Sequence, residues 1–402
     1  MVKSGINFYQ CLYPSIVTIS MMSWQSVIAA EWSVEPSISA RTNFNNNVWV
    51  SEKSKNQILD VRIKPSLKFN RESENSLLSL ETSWAQKKYI SKDDETRGLF
   101  GAKIDFKKEW SKQLFQVDAA YIEISTINSE TTDGNKTLIE TIRTEKKITP
   151  LWRTLITSNF SLDLSMRYSS VEFEKTEQQW FDYRNISPSL TGIYQITENL
   201  QWNIATGASR YELADFDYAV DSLFLQTGVR LGLNENSNAG LVLGAQRIHS
   251  ELKQISQSND TETIINNSAQ FTLEADYGLT FEKGNISFML SRNLTPTSQG
   301  NVQYTDQGQI LTKYSWSENL FSSLKLSAEK RDNINNASNT ANQYKTIATH
   351  VRTSWQKNEN WRLTLSYRWL IRKYDRQNTW IDSHKITLST RYVWDKKVFS
   401  HK

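Results

Sequence analysis

The side chains with the plainest chemistry in this 402-residue chain are cationic. Arg41, Arg62, Lys64, Lys68, His350, Arg352, Arg362, Arg368, Arg372, Lys385 and Arg391 sit near the two ends, at even separations within each short segment. In an extended strand, residues two apart share a face. Each group therefore stacks guanidinium, ammonium or imidazole groups on one surface. A one-sided positive field of this kind attracts and passes anions, and ordinary ion pairing is the competing use of the same charges. Glu35 and Asp60 fall among these cations and offset part of the field, whereas Glu274 and Asp276 belong to a distant segment.

Covalent chemistry has little to draw on. The four histidines, His249, His350, His384 and His401, are scattered, no Gly-x-Ser-x-Gly occurs, and the acids show no calcium-loop spacing. A nucleophile needs a base with an orienting partner, and a metal needs clustered ligands. Glycine-rich phosphate loops are absent too. The sequence thus predicts no enzyme, no metal and no cofactor.

The elements that position the cations follow from composition and periodicity. Only 38% of residues are hydrophobic, yet 11% are aromatic, and the mean hydropathy is −0.56. That average is too polar for helices of about 20 apolar residues. It suits strands with one apolar face and one polar face. Phe160, Leu162, Leu164, Met166 and Tyr168 alternate with Ser161, Asp163, Ser165 and Arg167. The same alternation returns at Leu223–Leu233 and at Trp361–Trp369.

Short polar links fall at Glu74-Asn75, Ser111, Ser158, Thr197–Asn199, Glu235–Asn238, Lys283–Asn285, Glu318-Asn319 and Lys357–Asn360. Longer polar segments lie between them, such as Ser125–Lys136, Gln254–Asn267, Thr295–Asp306 and Asp332–Asn342. Short turns alternating with long loops predict an all-β, transmembrane, antiparallel up-and-down barrel of about eighteen strands, with short periplasmic turns and longer extracellular loops. Trp32, Trp110, Trp152, Trp202, Trp316, Trp355, Trp361 and Trp394 lie near the termini or the short turns, as a periplasmic aromatic girdle requires. Pro65, Pro150 and Pro188 interrupt the pattern. Because proline removes a ladder hydrogen bond, they are expected at bulges or strand ends.

Residues 1–30 read as a cleaved signal peptide: Lys3 is their only charge, and a moderately apolar stretch ends in Val27-Ile28-Ala29-Ala30. Cleavage would remove Cys11, the only cysteine, and lower the net charge from +4 to +3 (4 − 1). Disulfides would then play no part, and so mild a charge argues against nucleic acid. Residues 31–402 form one barrel domain on this reading. Its last strand, Leu388–Trp394, resembles an aromatic-ended insertion signal, followed by an eight-residue tail, Asp395–Lys402.

The opening Trp32-Ser33-Val34-Glu35-Pro36-Ser37-Ile38-Ser39-Ala40-Arg41-Thr42, with Asn45-Asn46-Asn47-Val48 and the Ile-x-Pro and Thr-Glu-Asn-Leu repeats, resembles β-barrel porins encoded in exopolysaccharide gene clusters. The resemblance implies an outer-membrane channel with an export role for an anionic solute or polysaccharide. It also implies periplasmic export components as partners, and no catalytic motif comes with it. The expected neighbours are outer-membrane lipid, and a monomer is favoured. Two alternatives remain beside this reading: a blocked barrel serving as a structural or adhesion platform through its loops, and a secreted soluble β protein such as a propeller.

Overall fold

The computed structural model describes residues 30–48, 50, 57–90, 96–126, 141–174, 181–214, 218–255, 261–296, 302–333, 343–374 and 379–400. The expected signal peptide apart from Ala30, Cys11 within it, and most of the expected long loops lie outside the described residues.

The strands are long. The first nine are β1 (Glu31–Asn45), β2 (Ile58–Ser73), β3 (Ser76–Tyr89), β4 (Thr96–Glu109), β5 (Gln113–Ser125), β6 (Ile142–Leu155), β7 (Phe160–Phe173), β8 (Tyr183–Thr197) and β9 (Leu200–Leu213). There follow β10 (Tyr218–Asn234), β11 (Ser237–Ile255), β12 (Thr261–Phe281), β13 (Gly284–Pro296), β14 (Val302–Ser317) and β15 (Leu320–Asn333). The series ends with β16 (Tyr344–Gln356), β17 (Trp361–Tyr374), β18 (Ile381–Val393) and the short β19 (Lys397–Ser400). Thr261–Asn267 and Val302–Asp306, expected as loop, are strand. Their polar composition marks the outer ends of strands that rise above the apolar band.

Each of β1 to β18 pairs antiparallel with its sequence neighbours, and β18 pairs with β1 to close the cylinder. The expected eighteen-strand barrel is thus observed. Closure matters physically, because a sheet edge in hydrocarbon would leave backbone groups unsatisfied. The β19 strand is not a further crossing. Val393 pairs with Ser37 and Lys397 with Val34, so three residues on the C-terminal side face two on β1. That one-residue excess is a bulge, at which Trp394 N–H donates to the Pro36 carbonyl at 3.1 Å. The expected tail is therefore in part a continuation of β18.

The prolines sit mid-strand, correcting the expectation of bulges or strand ends. Ile63 pairs with Gln86 and Ser66 with Ser83, so the ladder skips Lys64 and Pro65 but keeps its register. Pro150 and Pro188 leave equivalent gaps between Ile148 and Leu151 and between Ile186 and Ser189. Each proline costs one ladder step to the next strand, without the extra residue that defines a bulge. Gly207 faces the Pro188 gap: a Cβ there would come within 2.5 Å of the Pro188 carbonyl and 2.6 Å of the Phe224 ring.

The faces follow the alternation. On β17, Leu363, Leu365, Tyr367 and Trp369 are exposed on the outside, while Thr364 and Leu370 are buried against the lumen wall. Leu223, Leu225, Val229 and Leu231 do the same on β10. In lipid, this exposed apolar belt is the buried surface. Trp152, Trp202, Trp316, Trp355 and Trp361 are exposed at the short-turn end, as the girdle expectation requires. Trp110 stacks on Trp152 with ring centroids 5.8 Å apart, and Trp361 Nε1 donates to Thr390 Oγ1 at 2.6 Å. No helix among the described residues is long and apolar enough to cross a membrane.

Candidate functional site

Strand register brings inward-facing side chains into rows around the lumen. Lys325 on β15 lies opposite His350 on β16, His350 opposite Arg368 on β17, and Arg368 opposite Lys385 on β18. This first row places four basic residues on four consecutive strands. A second row runs Arg41, Arg62, Lys87 and Arg97 across β1 to β4. Like charges directly opposite one another weaken a sheet pair, by roughly 0.2–1 kcal/mol each.

Six of these and neighbouring basic groups converge on one recess. Arg41, Lys325, His350, Arg352, Arg368 and Lys385 line a cavity of about 370 Å³ in the lumen wall. The remaining lining is Ala348 and five hydroxyl residues, Ser327, Thr364, Ser366, Thr387 and Ser389, with no carboxylate. Ser354 Oγ and Thr364 Oγ1 share a hydrogen bond of 2.9 Å, and Thr387 Oγ1 donates to Asn43 Oδ1 at 2.8 Å. These bonds tie the polar floor to the wall. The result is a surface of cations and rotatable hydroxyls, which are donors suited to anions.

The expected basic residues divide into four groups. Arg41, His350, Arg352, Arg368 and Lys385 are brought together in the recess, and Arg62 adjoins it through its pairing with Arg41. Arg362 and Arg391 lie opposite each other nearer the short turns, where Arg362 donates to Gln356 Oε1 at 2.9 Å. Lys68 lies opposite Glu35 on one side and Glu81 on the other, and Lys64 lies opposite Ser39. Arg372 is buried elsewhere. Its guanidinium lies 4.4 Å from the Tyr344 ring and 5.9 Å from the Tyr374 ring, and its Nε donates to Thr346 Oγ1 at 3.1 Å. That packing makes it a structural cation.

Three cations escaped the sequence reading. Lys325, Lys87 and Arg97 lie on β15, β3 and β4, one or two strands beyond those that carry the predicted cations, and the same alternation was the available signal. Lys87 is buried, donates to the Tyr89 hydroxyl, and sits 4.0 Å over its ring.

Above the recess, at the long-connection end, the lumen wall becomes apolar. Tyr344, Ala348, Leu370, Tyr374 and Ile381 form one buried cluster with Val50. Val50 has a φ of 51°, an unfavourable angle for a β-branched residue, so its burial holds it there. A second cluster joins Val171, Tyr183, Tyr211, Leu213, Val220 and Ile248 to Val302 and Tyr304 of β14. Since β14 is not a sheet neighbour of β7 to β11, the outer ends of β13 and β14 reach toward that side of the mouth. Among the described residues no group of three or more His, Cys, Asp or Glu is placed to hold a metal.

No family model matches the chain, and no curated relative matches it. Solved structures of similar architecture include OccAB3 of Acinetobacter baumannii, 12% identical with a TM-score of 0.47 over 91% of this chain and 99% of its own. OpdK of Pseudomonas aeruginosa, solved with vanillate, is 11% identical with a TM-score of 0.48, over 90% of this chain and 99% of its own. A further structure, described as the outer membrane protein OpdK of the same organism, is 10% identical with a TM-score of 0.48 and the same coverage.

Proposed function

We propose that the chain is an outer-membrane channel whose basic wall passes anionic solutes. The belt of exposed apolar residues and the tryptophan girdle support membrane insertion, with short turns toward the periplasm and long connections toward the exterior. The carrying observation is the recess itself, in which six basic residues and five hydroxyls meet with no carboxylate among them. Rows of like charge weaken strand pairing, and an anion in transit neutralises them. The two cation rows lie four residues apart along β18, from Lys385 to Ser389, the partner of Arg41, which is about 13 Å along a strand. A small anion can step between the rows, while an acidic polysaccharide, the cargo implied by the sequence resemblance, can contact both at once.

Liposome swelling with anionic, neutral and cationic solutes of matched size tests this. Faster entry of the anionic solutes is expected, and equal rates for the three would contradict the basic-wall reading. The apolar clusters at the mouth favour a second reading, a blocked barrel that acts through its exterior. Refolded protein that gave neither swelling nor current would select it.

A further inference from the structure

We propose that the outer face of β13–β16 docks an acylated, phosphorylated lipid of the outer leaflet. The proposal rests on the orientation given above, in which the long connections face outward.

A groove of about 580 Å³ opens on the lipid-facing side of these strands. Its cause is visible in the ladder. Pairing between β12 and β13 stops at Leu273 and Arg292, although both strands continue, so a notch opens where they part. Below the notch the register places Leu290, Gly308, Ala328 and Ile347 in one row across β13 to β16. Two small residues between two branched ones make a depression, and Gly308 has no room to spare beside Leu290, 3.2 Å from where its Cβ would stand. This floor is apolar and acyl-compatible.

Two residues farther out, the next outward row is charged. It runs Arg292, Asp306, Lys330, Lys345 and Lys373 across β13 to β17. Asp306 lies 3.5 Å from Arg292 Nε, and Asp332 takes a 2.5 Å contact from Lys330. Of these cations, Arg292, Lys330 and Lys345 line the groove itself, and against the two acids they leave a positive balance of one (3 − 2). Arg292 also holds its guanidinium 4.7 Å from the Phe271 ring at the groove wall, and its Nε is buried without a hydrogen-bond partner in the structure.

Height agrees with headgroup level. Lys330 is ten residues (330 − 320) beyond Leu320, the first residue of β15. At about 3.3 Å per residue and a tilt near 40°, that is roughly 25 Å above the short turn, the far edge of a barrel's apolar band. A soluble anion has no use for the groove, and a neutral lipid has none for the cations. An amphiphile with phosphate above acyl chains uses both, and arginine and lysine are the side chains that hold phosphate.

Native mass spectrometry of the refolded barrel with bisphosphorylated lipid A provides the test. One lipid A retained per barrel is expected. Retention should fall at least about tenfold for Lys330→Glu/Lys345→Glu, and similarly for phosphate-free lipid A. Ala328→Phe fills the floor while keeping every cation, and should weaken retention as well. Heat-modifiable gel migration confirms that each variant is folded, and channel current should be unchanged. Equal retention by wild type and both variants would overturn the proposal, as would displacement by millimolar inorganic phosphate, which would indicate a simple anion site. Loss of current with lipid retention intact would count against the channel, not against the lipid site.

Discussion

The two halves of the lumen wall handle positive charge differently. On β6 to β12 most of the inward cations have carboxylate partners: Arg153 grips Asp163 through two hydrogen bonds of 2.7 and 2.6 Å, and Arg143 and Lys147 share Glu145. Arg230 lies 3.8 Å from Asp276. On β15 to β18 and β1, six basic residues line a recess that contains no carboxylate. Both halves are built by the same alternation and the same strand register, so the difference is one of partners. Paired charges hold the wall together, and unpaired ones leave a field in the pore.

Charge reversal on the unpaired side should have the largest effect. With Arg368→Glu/Lys385→Glu, the concentration of polygalacturonate that half-blocks the current is expected to rise about tenfold or more, since two favourable charges become repulsive. Single-channel recordings read this directly, and an unchanged blocking concentration would remove the recess from the transport path. Arg372 sharpens the contrast, because it shares the recess side but is packed between tyrosines. Arg372→Met should destabilise the barrel by roughly 1–3 kcal/mol, through the polar partners it leaves behind, with blocking unaltered. Urea unfolding followed by gel migration, beside the same current assay, checks both halves of that statement. The smallest effect belongs to the balanced wall. Asp163→Asn/Asp276→Asn would release Arg153 and Arg230, whose own side chains are open to the lumen although Asp163 is buried, and a contribution of roughly 0–1 kcal/mol from each exposed charge translates into at most about a fivefold gain in anion preference.

Much of this was legible in the residues. Strict alternation at Phe160–Tyr168 and Trp361–Trp369, together with short polar turns, leads to a closed barrel because a period of two decides which face each side chain takes. The prolines misled, because a missing N–H was equated with a missing strand position. At Pro65, Pro150 and Pro188 the ladder instead skips a step and resumes in register. Parity also tells face but not surroundings. Arg368 and Arg372 share a face of β17, yet four residues carry the second into the aromatic cluster at the mouth. Lys325, Lys87 and Arg97 were legible by the same parity, but the predicted set of cations stopped before their strands. The outer groove was not legible, since it depends on where β12 and β13 part, a tertiary event with no local signature.

The most direct test of the central claim is the reversal potential across a planar bilayer in a tenfold KCl gradient, recorded at low ionic strength where screening is weak. The wild-type barrel should prefer chloride, and Arg41→Glu/Arg368→Glu/Lys385→Glu should shift the potential toward potassium. A wild-type channel without anion preference, or a triple variant with the same potential as wild type, would contradict the account.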